Sequence, residues 1–439
     1  MYLNDIQIVV PLKKDNEQWV SISFEEAFDI LKDKWAHFLP EELVFFAGGE
    51  ATTEELYLWQ RLAREGLKTN NIASFEYLMR GDCHCADKND IVPFSELPGA
   101  SALFCVGFDR ETTLPTLQPI LEFIDICRDI PTCFFDNHAD YRVMDYEAFF
   151  KALNIRLVKK ELTRGIFVNG VGKGYEKYKQ AMLSTDIAPL LALNQWTIDQ
   201  LDAFIDLLLA QPSPVIIYRE SAVTKAVVSE MNNLVLLIGI QAQPSSGLLG
   251  IKEHFNSQSL FDMGIFPTLL PGNEANDVSH LHGVRNLEEL QTQWMNGALK
   301  CALILKENPL QEEPCRNLWQ QHPFDFVCAI TSTMTETATH ADLIIPASPS
   351  EALGGTFTDS TRQAHQIEKR INREGQFNTI ELLSLLSEAY GLTPLNTVES
   401  VFLAYIDHFK GGCRSEMRHW FAVVEGARGA RGARGAAAF

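Results

Sequence analysis

Long apolar runs and clustered cysteines are both missing from this chain of 439 residues. No apolar run reaches the roughly 18 residues that a membrane-spanning helix needs. The first residues, MYLNDIQIVVPLKKDNEQW, lack the basic flank and apolar core of a secretion signal. The nine cysteines are odd in number and scattered, which argues against a disulfide framework. We therefore expect a cytoplasmic protein with no direct membrane span.

Basic residues are also scarce, which excludes a further class of partner. The chain carries 37 basic residues against 57 acidic ones, a formal net charge of −20. Such a charge repels nucleic acid and favours a basic protein partner. We expect no nucleic acid ligand. With 46% hydrophobic residues, a chain of this length can bury the cores of two or three lobes.

Apolar strand-like runs alternate with amphipathic helical patterns, which predicts an α/β fold with mainly parallel sheets. The predicted strands are residues 43–48, 102–107, 132–136, 214–218, 301–305, 326–331 and 342–346. The clearest predicted helices are residues 23–39, 53–67 and 221–240. Ser23 with Glu26, and Thr333 with Glu336, have the spacing of a capping box, so we expect each pair to start a helix.

Glycine and threonine residues gather near the ends of several predicted strands. In a doubly wound sheet, ligands lie beyond the carboxyl ends of the strands. Glycine lets the backbone approach a ligand closely, while threonine hydroxyls and free amides can bind an anion such as phosphate. A nucleotide site and ordinary turns are both compatible with this pattern. The candidate ligand-binding residues are Gly48, Gly49, Thr335, Glu336, Thr337, Gly355, Thr356 and Thr358.

Five segments, in order along nearly the whole chain, resemble the molybdopterin oxidoreductase family, in particular formate dehydrogenase catalytic subunits and the large subunit of respiratory complex I. The segments are residues 11–29 (PLKKDNEQWVSISFEEAFD), 48–72 (GGEATTEELYLWQRLAREGLKTNNI), 232–272 (ending in DMGIFPTLLPG), 305–314 (LKENPLQEEP) and 335–365 (TETATHADLIIPASPSEALGGTFTDSTRQAH). The resemblance implies an α/β fold of two interleaved Rossmann-like parallel-sheet lobes of the formate dehydrogenase/DMSO reductase type.

The resemblance also implies how the chain is divided. One lobe would consist of residues 1–80 plus 253–400, and residues 81–252 would form a lobe inserted between them. Residues 47–53 and 335–357 would then be neighbours in space. Residues 401–439 would be a C-terminal extension. We interpret its end, with three Gly-Ala-Arg units, as a flexible tail that is too low in complexity to bury a core.

Two terminal parts of the family pattern are not expected in this chain. Catalytic members open with a four-cysteine segment that holds an iron-sulfur cluster, and the resemblance here begins only after that segment. Their closing domain over the pterin dinucleotide needs on the order of a hundred residues, but only about 50 follow LLSEAYGL. The Cys83-His84-Cys85 run is too compressed to converge on one tetrahedral metal. We expect no metal site from it.

The positions that carry catalysis in the family are altered. In its formate dehydrogenases, a metal-binding cysteine or selenocysteine and a histidine follow an Asn pair matched by residues 70–71, and ungapped counting reaches Met79 and Arg80. A thioether is a poor substitute for a thiolate on the metal. A four-residue insertion would instead place Cys83 and His84 there. These two residues therefore remain catalytic candidates.

Substrate and cofactor contacts are altered as well. Lys252 matches the family's formate-binding arginine, and lysine keeps the charge but loses the planar fork that grips a carboxylate. Phe108-Asp109 replaces the family's Asn-Pro, and Asn137-His138 replaces its Pro-Arg. These changes remove a guanidinium or a tight turn, or add a carboxylate beside a phosphate. Binding of an anionic pterin dinucleotide is therefore disfavoured.

Two principal hypotheses remain open. In the favoured one, the chain is a formate dehydrogenase-like scaffold subunit without its own cofactor, in a cytoplasmic redox complex whose iron-sulfur and flavin subunits carry the electrons. In the other, it is a split formate dehydrogenase core that binds molybdopterin guanine dinucleotide with Mo or W, and partner chains complete it. A retained single-dinucleotide site with a regulatory role is a third reading.

Overall fold

The computed structural model describes residues 6–16, 18–80, 91–135, 141–164, 174–240, 243–272, 274–275, 280–371 and 378–412. These residues divide into two compact units, Met1–Met79 with His254–Phe439, and Arg80–Glu253. Several features discussed above lie outside the described residues, namely Cys83, His84, Cys85, Asn137, His138 and the Gly-Ala-Arg tail.

The chain alternates strands and helices throughout both units. The strands are β1 (Leu12–Asp15), β2 (Gln18–Ser21), β3 (Leu43–Ala47), β4 (Ile72–Ala73), β5 (Ala102–Val106), β6 (Thr132–Phe135), β7 (Pro214–Arg219), β8 (Gly247–Ile251), β9 (Leu269–Leu270), β10 (Glu274–Ala275), β11 (Cys301–Leu305), β12 (Phe326–Thr331), β13 (Leu343–Pro346), β14 (Gly355–Thr358) and β15 (Ala364–Ile367). The α-helices are Phe24–His37, Thr53–Arg61, Phe75–Leu78, Gln118–Ile126, Tyr146–Lys159, Tyr175–Ser184, Ala188–Leu193, Ile198–Leu209, Lys225–Ile238, Ser257–Asp262, Leu287–Met295, Glu313–Gln321, Glu336–Thr339, Ser350–Leu353, Thr379–Ala389 and Val398–Gly412.

The first unit is built on a seven-stranded sheet in the order β2-β1-β13-β12-β11-β3-β4. The hairpin strand β1 runs antiparallel to β2 and β13, and the other neighbours are parallel. Strands β3, β11 and β12 are buried along their whole length, as expected for parallel strands covered on both faces. Phe45 and Phe46 show why, since they belong to the cores on opposite faces of the sheet.

The second unit contains a four-stranded parallel sheet in the order β6-β5-β7-β8. The chain runs from β5 outward to β6 and then returns to place β7 on the other side of β5. This reversal makes the carboxyl ends of β5 and β7 the topological switch point of the sheet. Phe104 and Cys105 of β5 belong to the cores on opposite faces.

The predicted α/β class with mainly parallel sheets is confirmed, and all seven predicted strands are present with ends within one residue. The three predicted helices are shorter than expected. They span Phe24–His37, Thr53–Arg61 and Lys225–Ile238, and the second continues as a π-helical turn, Leu62–Gly66. The candidate ligand-binding residues Gly355, Thr356 and Thr358 belong to the strand β14 (Gly355–Thr358), which pairs antiparallel with β15.

One of the two predicted helix caps is wrong. Ser23 does cap its helix, because its Oγ accepts from the Glu26 N–H at 3.1 Å. Thr333 does not cap the helix Glu336–Thr339, since the Thr335 Oγ1 accepts from the Ala338 N–H at 3.1 Å. The backbone at Thr333 instead forms an isolated antiparallel bridge with residue 7, two residues ahead of the helix cap.

We expect Thr335→Ala to lower the free energy of unfolding by about 1 kcal/mol, because the Ala338 N–H loses its acceptor. Thr333→Ala is the matched control, two residues away, and should change stability by less than about 0.5 kcal/mol. Urea unfolding of the two variants distinguishes the two threonines. Equal losses would contradict the assignment of Thr335 as the cap.

The last described helix, Val398–Gly412, crosses the position at which the sequence analysis ends the first lobe. Val401, Tyr405 and Ile406 are buried in the core of the first unit, so the packed part of this unit extends past residue 400. Among the helices of the described residues, none combines the length and apolarity that crossing a membrane requires.

Candidate functional site

In the first unit, the Gly48-Gly49 pair follows β3 at the carboxyl edge of the sheet. A Cβ atom at Gly48 would lie 2.5 Å from the Lys306 carbonyl oxygen. A Cβ atom at Gly49 would lie 2.5 Å from the Ser257 Oγ and 2.8 Å from the Glu76 Oε1. Both glycines therefore permit a close approach, and the groups that approach belong to this chain.

The Glu76 carboxylate occupies the space beside Gly49. Its Oε1 accepts from the Gly49 N–H at 2.8 Å, and its Oε2 accepts from the Ser257 hydroxyl at 2.6 Å. The His254 Nε2 lies 3.7 Å from the Oε1, and the Glu76 side chain is only 7% exposed. An internal carboxylate thus binds the amide that would otherwise face an external anion.

The second candidate group, Gly355, Thr356 and Thr358 on β14, is bound in a similar way. Glu54 accepts from both the N–H and the hydroxyl of Thr356, at 2.9 and 3.0 Å. Gly355 has φ of +116°, and a Cβ atom there would lie 2.5 Å from the Glu54 Oε2. Burial raises the pKa of the Glu54 carboxyl to about 7, although the hydrogen bonds from Thr356 oppose that rise.

A chain of buried hydroxyl groups continues from β14. The Thr53 hydroxyl donates to the Thr356 carbonyl at 3.0 Å and lies 2.9 Å from the Ser259 Oγ. The Ser259 hydroxyl donates to the Thr358 Oγ1 at 3.1 Å, and the Thr358 N–H donates to the Asn256 Oδ1 at 2.8 Å. These contacts confirm the prediction that residues 47–53 and 335–357 are neighbours.

The third candidate group, Thr335 to Thr337, is held by the end of β11. The Asn308 Nδ2 donates to the Glu336 Oε2 at 2.6 Å. The N–H and hydroxyl of Thr337 both donate to the Asn308 Oδ1, at 3.1 and 2.8 Å. The hydrogen bond from Asn308 lowers the pKa of the Glu336 carboxyl. These residues therefore connect the ends of β11 and β12.

Two further side chains with titratable groups, Lys306 and Glu307, directly follow β11. The Lys306 Nζ lies 2.8 Å from the Glu55 Oε2, with side chains 6% and 0% exposed. The Glu307 Oε1 accepts from the Ser74 hydroxyl and the Phe75 N–H, both at 2.7 Å. Burial raises the pKa of the Glu307 carboxyl to about 8, and the charge of Glu76 contributes to the rise.

Lys252 lies in the second unit, directly after β8. Its Nζ is 2.6 Å from the Glu220 Oε1, and the two side chains are 3% and 1% exposed. Its ammonium is thus already paired with a carboxylate of the same chain. The other catalytic candidates, Cys83 and His84, lie outside the described residues. Within the described ranges, no group of three or more His, Cys, Asp or Glu side chains is arranged to hold a metal ion.

Sequence reasoning identified the loops but missed the carboxylates that fill them. Glu54, Glu76 and Glu220 were not among the candidates. Glu54 and Glu220 are nevertheless buried, with exposures of 0% and 1%, which is unusual for a glutamate without a specific partner. In the sequence, Glu54 lies near the start of a predicted helix and Glu220 lies close behind a predicted strand, and neither position by itself marks a buried acceptor.

Solved structures share this fold. Acetylene hydratase from Pelobacter acetylenicus matches 90% of this chain with a TM-score of 0.68 and 15% identity, over 62% of its own length. The formyltransferase/hydrolase complex from Methylorubrum extorquens, solved with methylofuran, contains a chain that matches 87% of this one with a TM-score of 0.51 and 12% identity. The match covers 98% of that chain. At these identities the likeness shows the fold alone.

Curated relatives are similar in sequence over most of this chain. The alpha subunit of F420-dependent formate dehydrogenase 1 from Methanococcus maripaludis is 24% identical over 91% of it, and the catalytic subunit of assimilatory nitrate reductase from Bacillus subtilis is 24% identical over 81%. The chain spans 64% and 56% of the lengths of these relatives. The family profile described as molybdopterin oxidoreductase matches residues 8–376. The chain therefore belongs to the molybdopterin oxidoreductase family.

Proposed function

We propose that this chain is a non-catalytic subunit on which the other subunits of a multisubunit complex assemble. The proposal rests on one observation above all. The backbone and hydroxyl donors of the candidate loops are bound by side chains of the same chain, as Glu76 binds Gly49 and Glu54 binds Thr356. Because these donors bind acceptors of the same chain, their hydrogen bonds stabilise the fold at this edge of the sheet.

The residues present do not fit the pterin dinucleotide of the family. Its phosphates need free N–H groups or cations. The N–H groups of Gly49, Thr356 and Thr358 already donate to Glu76, Glu54 and an asparagine. The Glu76 carboxylate would in addition repel a phosphate placed beside Gly49. We therefore derive no reaction step through this cofactor.

The relatives support a role within a complex. The Methanococcus relative is named as the alpha subunit of its enzyme, and the Methylorubrum structure is a complex of several subunits. The match covers nearly the whole of one chain of that complex, so an arrangement of this extent occurs as a component of a larger assembly. Our chain would provide a similar platform.

The two likenesses suggest different partner subunits. On the formate dehydrogenase likeness, the partners would be iron-sulfur and flavin subunits of a cytoplasmic redox complex. On the Methylorubrum likeness, they would be subunits that transfer or hydrolyse a formyl group. The net charge of −20 favours partners with basic docking surfaces in either case.

A second candidate function is a split molybdopterin enzyme core, and one observation favours it. The family profile described as molybdopterin oxidoreductase matches residues 8–376, so most of this chain belongs to a family named for that cofactor. On this function partner chains would complete the cofactor site, and Cys83 would bind the metal. The two proposed functions predict different amounts of molybdenum or tungsten bound to this chain.

The native complex provides the test. We expect purification through a tag on this chain to recover other subunits in fixed stoichiometry, with molybdenum and tungsten far below one equivalent per chain. Mass spectrometry identifies the subunits, which separates redox partners from formyl-transferring ones. Elemental analysis by subunit, after the complex is dissociated, assigns any metal to its chain. One equivalent of molybdenum or tungsten on this chain would overturn the non-catalytic function and support the split core.

A further inference from the structure

A cavity of about 550 Å³ lies in the first unit, beside the carboxyl end of β13. Its walls include the buried side chains of Ile8, Ala347, Leu353 and Ile380 and the partly buried ring of Phe24. None of the eight candidate ligand-binding residues lines it, so it is a different place from the candidate site. Its volume is that of a pocket which takes up a small molecule or a few side chains.

An exposed aliphatic arm, residues 6–10, continues from this cavity. The side chains of Ile6, Val9 and Val10 are 42%, 58% and 42% exposed, and Val9 also lines the cavity. The Ile8 N–H donates to the Ser332 carbonyl at 2.9 Å, which holds the arm against the residue that follows β12. Exposed apolar side chains grouped beside a pocket are typical of a surface that binds another protein.

The charged side chains that line the cavity give it an acidic character. Among the described residues they are Glu381, Glu399 and Lys369, so two carboxylates face one ammonium. The Glu381 Oε2 accepts from the Asn378 N–H at 3.1 Å, which fixes this carboxylate at the start of the helix Thr379–Ala389. Apolar walls with polar and charged groups around them are the usual anatomy of a protein–protein interface.

A segment of a different polypeptide fits these features better than a small molecule or a second copy of this chain. A small molecule inside the cavity would leave the arm exposed, whereas a polypeptide segment can cover the arm and insert a side chain into the cavity. A second copy would bring another net charge of −20 to an acidic surface, which is unfavourable.

We propose that the cavity and the arm form a docking site for a segment of another subunit. An aromatic or aliphatic side chain of that segment fills the cavity, and lysine or arginine residues beside it lie opposite Glu381 and Glu399. Such apolar anchors carry most of the binding energy of an interface, and the charges around them favour the correct partner. This docking site rests on the proposed function, because it needs a partner subunit, and it specifies the chemistry of that partner.

Photocrosslinking within the native complex identifies what occupies the site. The tagged full chain carries p-benzoylphenylalanine in place of Val9, or in place of Ile6 if the change at Val9 blocks assembly. We expect a crosslink to one other subunit, at a segment where an apolar side chain lies next to lysine or arginine. The matched control has the same amino acid in place of Leu39, which is 59% exposed in the same unit, and should not crosslink to that segment.

A fluorescent synthetic peptide with the sequence of the crosslinked segment then measures binding to the purified full chain by anisotropy. Val9→Arg puts a cation among the apolar contacts and should weaken binding about tenfold or more, whereas Leu39→Arg should change it by less than about twofold. Glu399→Arg should weaken binding several-fold in low salt and less in high salt. Equal affinities of the wild type and Val9→Arg would overturn the proposal.

The outcomes distinguish a failure of the docking site from a failure of the proposed function. If the tag on the wild-type chain recovers no other subunit, both are wrong. If other subunits are recovered but both crosslinking positions react only with this chain, with a second copy of it or with no protein, the docking site is wrong and the proposed function stands.

Discussion

Replacing Lys306 by methionine is expected to lower the free energy of unfolding by about 3 to 5 kcal/mol, the usual result of removing one partner of a buried ion pair. Its ammonium lies 2.8 Å from the Glu55 Oε2, and Glu55 is fully buried. Among the described residues, the Glu55 Oε1 has no hydrogen-bond partner. The Thr52 N–H also donates to the Glu55 Oε2 at 2.8 Å, but loss of the lysine would leave this buried carboxylate without its compensating charge. Urea unfolding at pH 7 measures the loss.

A surface pair gives the matched control for this prediction. Lys300 lies 4.0 Å from Asp325, with side chains 38% and 61% exposed, so Lys300→Met should change stability by less than about 0.5 kcal/mol. Adding Glu55→Gln to Lys306→Met should recover much of the loss, because the stranded charge is removed. If Lys306→Met and Lys300→Met were equally stable, the buried pair would not hold this edge together.

The strands were predictable from sequence where an apolar run was long enough to be buried on both faces. The runs LVFFA, CALIL and FVCAIT are examples, and their ends were located within one residue. Strand β8 was not predicted. Its sequence, GLLGI, is short and contains two glycines, which are unfavourable in strands. It becomes a strand because it pairs along its length with β7, which is a tertiary cause.

The hydrogen-bond donors of the candidate site were predictable from the sequence, and their acceptors were not. Glycines and threonines at strand ends give a local signal for hydrogen-bond donors. The acceptors give no such signal, because Glu54 lies 302 residues from Thr356 and Glu220 lies 32 residues from Lys252. Thr333 failed as a cap for the same reason, since its bridge to residue 7 is invisible in local spacing. When the sequence shows the donors but not their internal acceptors, it predicts a site that is open to an external ligand.

The fully buried carboxyl of Glu54 is expected to make the chain less stable as the pH rises from about 4.5 to about 7. Burial raises its pKa from 4.5 to about 7. Below pH 4.5 the group is protonated in both states. Within the window the folded chain holds a proton that the unfolded chain has lost, so the free energy of unfolding falls with rising pH. At 1.36 kcal/mol per pKa unit, the contribution lost is roughly 3 kcal/mol.

Glu54→Gln isolates this contribution, because the amide is neutral at every pH and can still accept from the Thr356 N–H. We expect the variant to match the wild type near pH 4.5 and to exceed it by roughly 3 kcal/mol above pH 7, once the buried charge is avoided. Urea unfolding between pH 4.5 and 8 measures the difference. Glu50→Gln, an exposed neighbour, is the control and should keep the wild-type slope. Parallel curves for Glu54→Gln and the wild type would mean that Glu54 is charged in the folded chain throughout this range. In that case the carboxylate that binds Thr356 would be stabilised by groups other than those described at this edge.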